Sequence, residues 1–411
     1  MKKSINILLL AIVIVSCNKD ILNLEPLTEF PSAKEWGDPA LAQTYINGIY
    51  NAIPWGVARN AGNVDESRSR GDAGLFNINN MLITPDDPRT GDWNTDYLQI
   101  RNCNVFLTNI AKADFDTAKI DGVTLKERML GEAHFLRAYY YAKLINYYGG
   151  VPIITKVYEL NDSFKVARDS YKDCVNFIVH DLDTAAEMLP LIQSGENDGR
   201  ATKGAALALK SRVLLYAASD LHNPGKNAAV VSGFSHPELL GYTDGDATAR
   251  WQAAKDAAKA VIDLGIYSLY MPDPSSAEEA TKNYGDVFTS TKSVEDIFVR
   301  YLTASVAGGG YYGWNLAPNG WYGNAGVGAT NELVDAYEMQ DGSTFTRNDP
   351  AEAKQPYKNR DPRFYATVLF EGNKYRPRPA DLVKYDPVGV GQFGTWEKWD
   401  AAANKKTLVY G

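Results

Sequence analysis

The stretch that most constrains this chain runs from Thr124 to Pro152 and reads TLKERMLGEAHFLRAYYYAKLINYYGGVP. Thr124 and Glu127 have the spacing of a capping box, in which two side chains satisfy backbone N–H groups left open by the first helical turn. Met129, Ala133, Leu136, Tyr140, Leu144 and Tyr147 recur at steps of three or four, so one face is apolar and must be buried. Gly149 and Gly150 supply the backbone freedom that closes a helix, and Pro152 prevents its continuation, which places the end at about Tyr148. Ala133, Ala138 and Ala142 permit close approach of a neighbour. Tyr139, Tyr140, Tyr141, Tyr147 and Tyr148 carry apolar rings with hydrogen-bonding tips. Such a helix needs partners on more than one side.

The sequence supplies those partners. Helical spacing predicts helices over residues 39–53, 93–110, 170–189, 202–219 and 251–264, and the second should pair antiparallel with the Thr124 helix. Ser170 and Asp173 are placed as a further capping box. Successive helix pairs with small residues at the crossings suggest tetratricopeptide-like units, although the 34-residue consensus is not reproduced. Between them, residues 55–92, rich in Gly, Asn, Asp and Pro, read as a long loop, and 221–246 and 271–292 are also loop-like. Residues 296–301 and 363–370 alternate in a way that suits short strands. No composition break divides the chain, so residues 37–411 read as one domain.

The N-terminus is organised differently. Lys2 and Lys3 precede an apolar run over residues 5–15, too short to span a bilayer and suited to a signal-peptide core. Ile14-Val15-Ser16-Cys17 looks like a lipobox, so residues 1–16 are expected to be removed and Cys17 to be acylated, with 17–36 as a tether. An ordinary secretory signal with a chance cysteine is the alternative. Composition is otherwise that of a globular protein, with 45% hydrophobic and 22% charged residues. The net charge of −8 disfavours nucleic acid or an anionic membrane surface as a partner. Cys103 and Cys174 fall within apolar helical patterns and read as core residues, a disulfide between them being the other possibility.

Two clusters carry candidate binding chemistry. Tyr311, Tyr312, Trp314, Trp321 and Tyr322 stand among glycines in GGGYYGWNLAPNGWYGNAGVG, which has neither helical nor strand period. A sugar ring presents C–H bonds that pack on an aromatic face, while its hydroxyls need planar or charged partners, so aromatics displayed on a loop would make a platform. The bland reading is that these rings plug the core beneath the loop. The second cluster is Trp93 with Asn94 and Asp96, together with Arg68, Arg70 and Asp72 of the preceding loop as hydroxyl ligands. Here the competing readings are a tryptophan that staples two helices and a solvated charge run. Gly389, Gly391 and Gly394 spell GxGxxG, but Pro387 precedes them and no βαβ pattern surrounds them. His134, His180, His222 and His236 show no ligand spacing, and the adjacent Asp86 and Asp87 sit in a Pro-rich loop. No catalytic, cofactor or metal site is therefore expected.

The segment GEAHFLRAYYYAKLINYYGGVP resembles the signature of the SusD/RagB family, and four later segments agree in order. They are RATKGAALALKSRVLLYAASD from Arg200, RWQAAKDAAKAVIDLGIYSLY from Arg250, TNELVDAYEMQDG from Thr330 and NRDPRFYATVLF from Asn359. The resemblance implies a mainly α fold, with a tetratricopeptide-like helical core, long irregular loops and a few short strands. It also implies a non-catalytic lipoprotein at the cell surface that captures oligosaccharide and passes it to a SusC-like TonB-dependent outer-membrane transporter, closing over it as a lid. In relatives an aromatic arc for glycan comes partly from the region of Tyr311 to Tyr322 and partly from the helix start corresponding to Trp93. Only Asn18, Lys19 and Asp20 follow Cys17, where surface-exposed relatives often carry an acidic cluster. Relatives also continue into a last helical pair with an Arg-Tyr-Ala-Glu-like run, which does not occur before Gly411, so a C-terminal end is expected to be missing and an apolar face uncovered. A helical-repeat scaffold for peptide or protein partners is the alternative function.

Overall fold

A computed structural model of the chain describes residues 35–54, 64–69, 91–110, 118–159, 161–301, 326–370, 395–400 and 405–410, with a few single positions between them. The long helices are α1 (Pro39–Asn51), α2 (Trp93–Ile110), α3 (Leu125–Tyr148), α4 (Tyr171–Met188) and α5 (Lys203–Ala218). After the one-turn α6 (Ala228–Val231) come α7 (Ala247–Ile262) and α8 (Ala277–Thr289), then the short α9 (Asn331–Ala336), α10 (Pro350–Lys354) and α11 (Pro362–Thr367). Among the described residues the strands form three two-stranded antiparallel ladders. They pair β1 (Ser67–Ser69) with β4 (Val327–Ala329), β2 (Lys119–Ile120) with β3 (Val123–Thr124), and β5 (Thr395–Asp400) with β6 (Lys405–Tyr410).

α3 is the axis of the fold, and its ends are set locally. Thr124 Oγ1 accepts a hydrogen bond from Glu127 N at 3.1 Å while Glu127 Oε2 accepts one from Thr124 N at 2.8 Å, which completes the capping box. Gly149 closes the helix at φ +71°, and a Cβ there would lie 2.1 Å from the Leu239 carbonyl oxygen, so both conformation and space require glycine. Between these ends Met129, Ala133, Phe135, Leu136, Ala138, Tyr140, Tyr141 and Leu144 are all buried.

The neighbours pack in antiparallel succession. Lys143 reaches Asp96 at 2.6 Å, Arg137 reaches Asn104 at 2.8 Å and Lys126 reaches the Ala113 carbonyl at 2.6 Å, so α2 runs opposite to α3. On its other side Gly131 near the start of α3 meets Leu189 at the end of α4, where a Cβ would come within 2.9 Å of the leucine. Lys210 of α5 pairs with Asp183 of α4 at 2.6 Å, and α7 packs on α5. This is the mainly α, tetratricopeptide-like architecture that the sequence implies.

The buried charges at Asp181 and Glu132 inside the helix stack are matched by neighbouring cations. Arg137 donates to both oxygens of Asp181, at 2.7 and 2.8 Å, and His134 Nδ1 lies 2.8 Å from the same carboxylate. Burial alone would raise the pKa of Asp181, but the contacts to Arg137 and His134 outweigh it and hold the carboxyl below its usual range. Glu132 is likewise fully buried between Arg128 (3.0 Å) and Arg200 (3.2 Å). Cys103 and Cys174 are free and buried, as expected for core residues, and burial pushes the Cys174 thiol up to about 11.

Three local expectations are corrected. Residues 277–289 of the expected loop 271–292 form α8, capped by Ser276, whose hydroxyl accepts from Glu279 N at 3.1 Å. Most of the expected strand 363–370 is α11, which Asp361 caps and Pro362 opens at its first position, a start signal that outweighs the aromatic alternation. Residues 296–301 are irregular chain laid against the core, with Phe298 edge-on to Phe135 at 5.0 Å. A smaller cluster of Val334, Phe364 and Val368 surrounds Arg360, whose guanidinium donates to the carbonyls of Pro356 (2.6 Å), Tyr337 (2.6 Å) and Val334 and lies 3.9 Å from the centre of the Phe345 ring.

Candidate functional site

A groove of about 360 Å³ lies beside the start of α2. One wall is the first two turns of that helix, whose N–H of Thr95 is capped by Asp92 Oδ1 at 3.2 Å, and it presents Trp93, Asn94, Tyr97, Leu98 and Arg101. The other wall is the extended segment following α3, with Pro152, Ile154, Lys156, Tyr158 and Phe164. No sheet holds this segment. Instead Tyr97 donates its hydroxyl to the Pro152 carbonyl at 2.7 Å, Asn104 donates to Ile154 O at 2.8 Å, and Tyr141 accepts from Ile154 N at 2.7 Å. Arg168 donates to the carbonyls of Gly150 (2.6 Å) and Tyr148, which ties the end of α3 to the same segment.

The result is a rigid base carrying accessible rings. Trp93 packs on Tyr97 with centroids 4.8 Å apart and meets Tyr148 edge-on at 5.0 Å, and Tyr158 meets Phe164 edge-on at 4.9 Å. Trp93 is 36% exposed and Phe164 62% exposed. Lys156 Nζ lies 4.2 Å from the centre of the Tyr158 ring. A concave, mainly apolar surface of this volume is in the size range of small-ligand sites, and its ring faces suit the C–H face of a sugar.

The candidate residues read from the sequence fare unequally. Trp93 and Asn94 line the groove. Asp96, expected to contact sugar hydroxyls, is instead fully buried and bonded to Lys143 at 2.6 Å, so it anchors the start of α2 against α3 and does not face a ligand. Burial raises its carboxyl pKa and Lys143 opposes that rise. Arg68 is exposed on β1. Arg70, Asp72, Tyr311, Tyr312, Trp314, Trp321, Tyr322 and the lipidation candidate Cys17 lie outside the described residues.

The flanks of the two candidate loops are nevertheless brought together. β1 and β4 pair with Arg68 opposite Gly328, and Thr330 adds bonds to the carbonyls of Glu66 (3.0 Å, from its N–H) and Asp65 (2.6 Å, from its hydroxyl). Before the aromatic run, Arg300 donates to the carbonyls of Ile53 and Asn51 at the end of α1. Residues about 250 positions apart are therefore joined at two places, Arg300 to the end of α1 and β1 to β4. Tyr158, Phe164, Lys156 and Arg101 were not singled out by sequence reasoning. The one signal available was the pair of aromatics Tyr158 and Phe164, a few residues beyond the Gly-Gly-Val-Pro helix stop.

A second cavity, about 320 Å³, lies between α1 and residues 196–200 and 298–301. Arg200, which lines it, is committed to the fold, donating to Asn47 at 2.6 Å and to Glu132 at 3.2 Å. Among the described residues no three His, Cys, Asp or Glu side chains gather as a metal site, and no helix is long and apolar enough to cross a membrane.

Comparison with known proteins follows the same lines. A family model described as "Starch-binding associating with outer membrane" matches residues 41–215, and the SusD family model matches residues 281–408. A solved SusD-like protein from Bacteroides fragilis is 30% identical with a TM-score of 0.66, over 85% of this chain and 64% of that one. Two SusD-like proteins of Formosa agariphila are each 26% identical, over 53% and 37% of this chain. The chain belongs to the SusD/RagB family. It spans 43% and 28% of the length of those two Formosa relatives.

Proposed function

We propose that this protein is a non-catalytic glycan-binding lipoprotein of the outer membrane, which captures oligosaccharide in the groove at the start of α2 and delivers it to a SusC-like TonB-dependent transporter. The observation that carries the reading is the set of accessible rings, Trp93, Tyr97, Tyr158 and Phe164, on a base fixed by hydrogen bonds from α2 and α3. Membership of a family whose model is described as starch-binding and outer-membrane associated supports the class of ligand and the location. Acylation of Cys17 would provide the anchor, and Trp314, Trp321, Tyr311 and Tyr322, with Arg70 and Asp72, would extend the aromatic surface from the two loops whose flanks meet at β1 and β4. Affinity electrophoresis tests the proposal. Trp93→Ala should lose roughly tenfold in retention by a polysaccharide that retards the wild type. Equal retardation of both proteins across a glycan panel would remove the groove from the binding surface.

A scaffold for protein partners is the second reading, favoured by the exposed Ile262, Leu269, Met271 and Phe288 around α7 and α8. It predicts protection of that face by a protein partner and no response to sugars.

A further inference from the structure

The groove beside α2 is short of uncommitted hydrogen-bonding groups. Its wall after α3 has committed its backbone to the fold. The Pro152 carbonyl accepts from Tyr97 at 2.7 Å and the Ile154 carbonyl from Asn104 at 2.8 Å, while Ile154 N donates to Tyr141 at 2.7 Å and Ile153 N to Asp169 at 2.7 Å. The two cations that line it are also engaged, Lys156 with Asp162 at 3.2 Å and Arg101 with a partner of its own. Among the described residues, the polar groups of the lining that remain for a ligand are the Asn94 amide, the Trp93 indole N–H and the Tyr158 hydroxyl. Apolar side chains take up the rest of the surface: Leu98 is 53% exposed and Phe164 62% exposed, and Pro152 and Ile154 line the same space.

A fully hydroxylated sugar seated there gives up water from more hydroxyls than the groove can pair, and a hydroxyl buried without a partner costs more than a typical hydrogen bond contributes. Where a methyl-bearing substituent replaces a hydroxyl, the same contact becomes burial of apolar surface. The few polar groups that remain then suffice to orient the ring, as in other small-molecule sites. We infer that the groove bounded by Trp93, Leu98, Ile154 and Phe164 selects saccharides that carry methyl groups, as 6-deoxy sugars or O-acetyl esters, over the fully hydroxylated forms of the same backbone. This rests on the glycan-binding reading given above.

Calorimetry on the whole chain tests the selection with two matched pairs: a fucosylated oligosaccharide and its L-galactosyl counterpart, and an acetylated xylo-oligosaccharide and its deacetylated form. The methyl-bearing member of at least one pair should bind roughly fourfold more tightly for each methyl group seated. That advantage should persist when salt is raised and should come with a more negative heat-capacity change, the marks of apolar burial as opposed to charge. Which pair shows it separates a 6-deoxy sugar from an acetyl ester. Leu98→Ser removes apolar surface from the groove at a position exposed enough to spare the fold, and should bring the two members of that pair within about twofold of each other. Equal affinity within both pairs, a preference for the hydroxylated members, or a Leu98→Ser protein that keeps the full advantage overturns the inference and leaves glycan binding standing. Absence of binding to every saccharide overturns the parent reading as well.

Discussion

The interior of the helix stack around Arg137 and the groove around Trp93 are made from the same kinds of residue, and they differ in what those residues face. Around Arg137 each polar group is matched: Asp181 with two guanidinium nitrogens and His134, Asn104 with Arg137, and Tyr140 with the Ile49 carbonyl at 2.8 Å. Around Trp93 the polar groups that organise the walls are buried or half-buried, while ring faces are turned toward the open space. Aromatic residues thus serve stability in one place and, in the function proposed above, recognition in the other. Their composition is alike, and burial separates them.

Substitutions can break that distinction or sharpen it. The largest effect on stability is expected from Arg137→Ala, which leaves the buried Asp181 carboxylate with His134 alone and should cost about 3–5 kcal/mol in urea unfolding, with saccharide affinity per folded molecule unchanged. A loss below about 1 kcal/mol would mean that the network is not what holds α3 to α4. Gly149→Ala should cost about 2 kcal/mol, since it places a Cβ at a positive φ and against the Leu239 carbonyl.

Acid should act on the interior before the groove. The carboxyl of Asp181 is held below its ordinary value, so its contribution is complete above a pH of about 4 and is lost as pH falls through the lower native pKa. Asp181→Asn should flatten that part of the stability profile, and an unaltered acid limb would assign acid unfolding to other groups. Trp93→Ala should lie at the small end for stability, about 1 kcal/mol or less, while losing roughly tenfold in affinity. Phe164→Ala, at a more exposed ring, should leave unfolding unchanged within about 0.5 kcal/mol and weaken binding less than Trp93→Ala does.

The same contrast explains what could be read from residues alone. Helices α1 to α5 were legible because their signals are local: Thr124 with Glu127, Ser170 and Thr202 mark starts, and apolar spacing marks the buried faces. α8 was hidden by the Pro, Asp and Ser residues that precede it, although Ser276 and Glu279 already had capping spacing. α11 was hidden by alternating aromatics over a helix of six residues, too short for a 3.6-residue period to show. Trp93 was legible as a candidate, whereas the wall opposite it was not. That wall has no period of its own and is fixed by Tyr97 and Asn104, residues 55 and 50 positions away from the carbonyls they bind. The misassignment of Asp96 has the same origin, since an acidic residue in a first helical turn looks solvent-facing until Lys143 is seen 47 positions on.

The most direct test of the account is the crystal structure of this chain with an oligosaccharide that it retains. The account predicts a sugar ring stacked on Trp93, at carbon-to-ring distances of about 4 Å. A sugar seated instead in the cavity between Asn47 and Tyr301, with the groove at the start of α2 vacant, would contradict it.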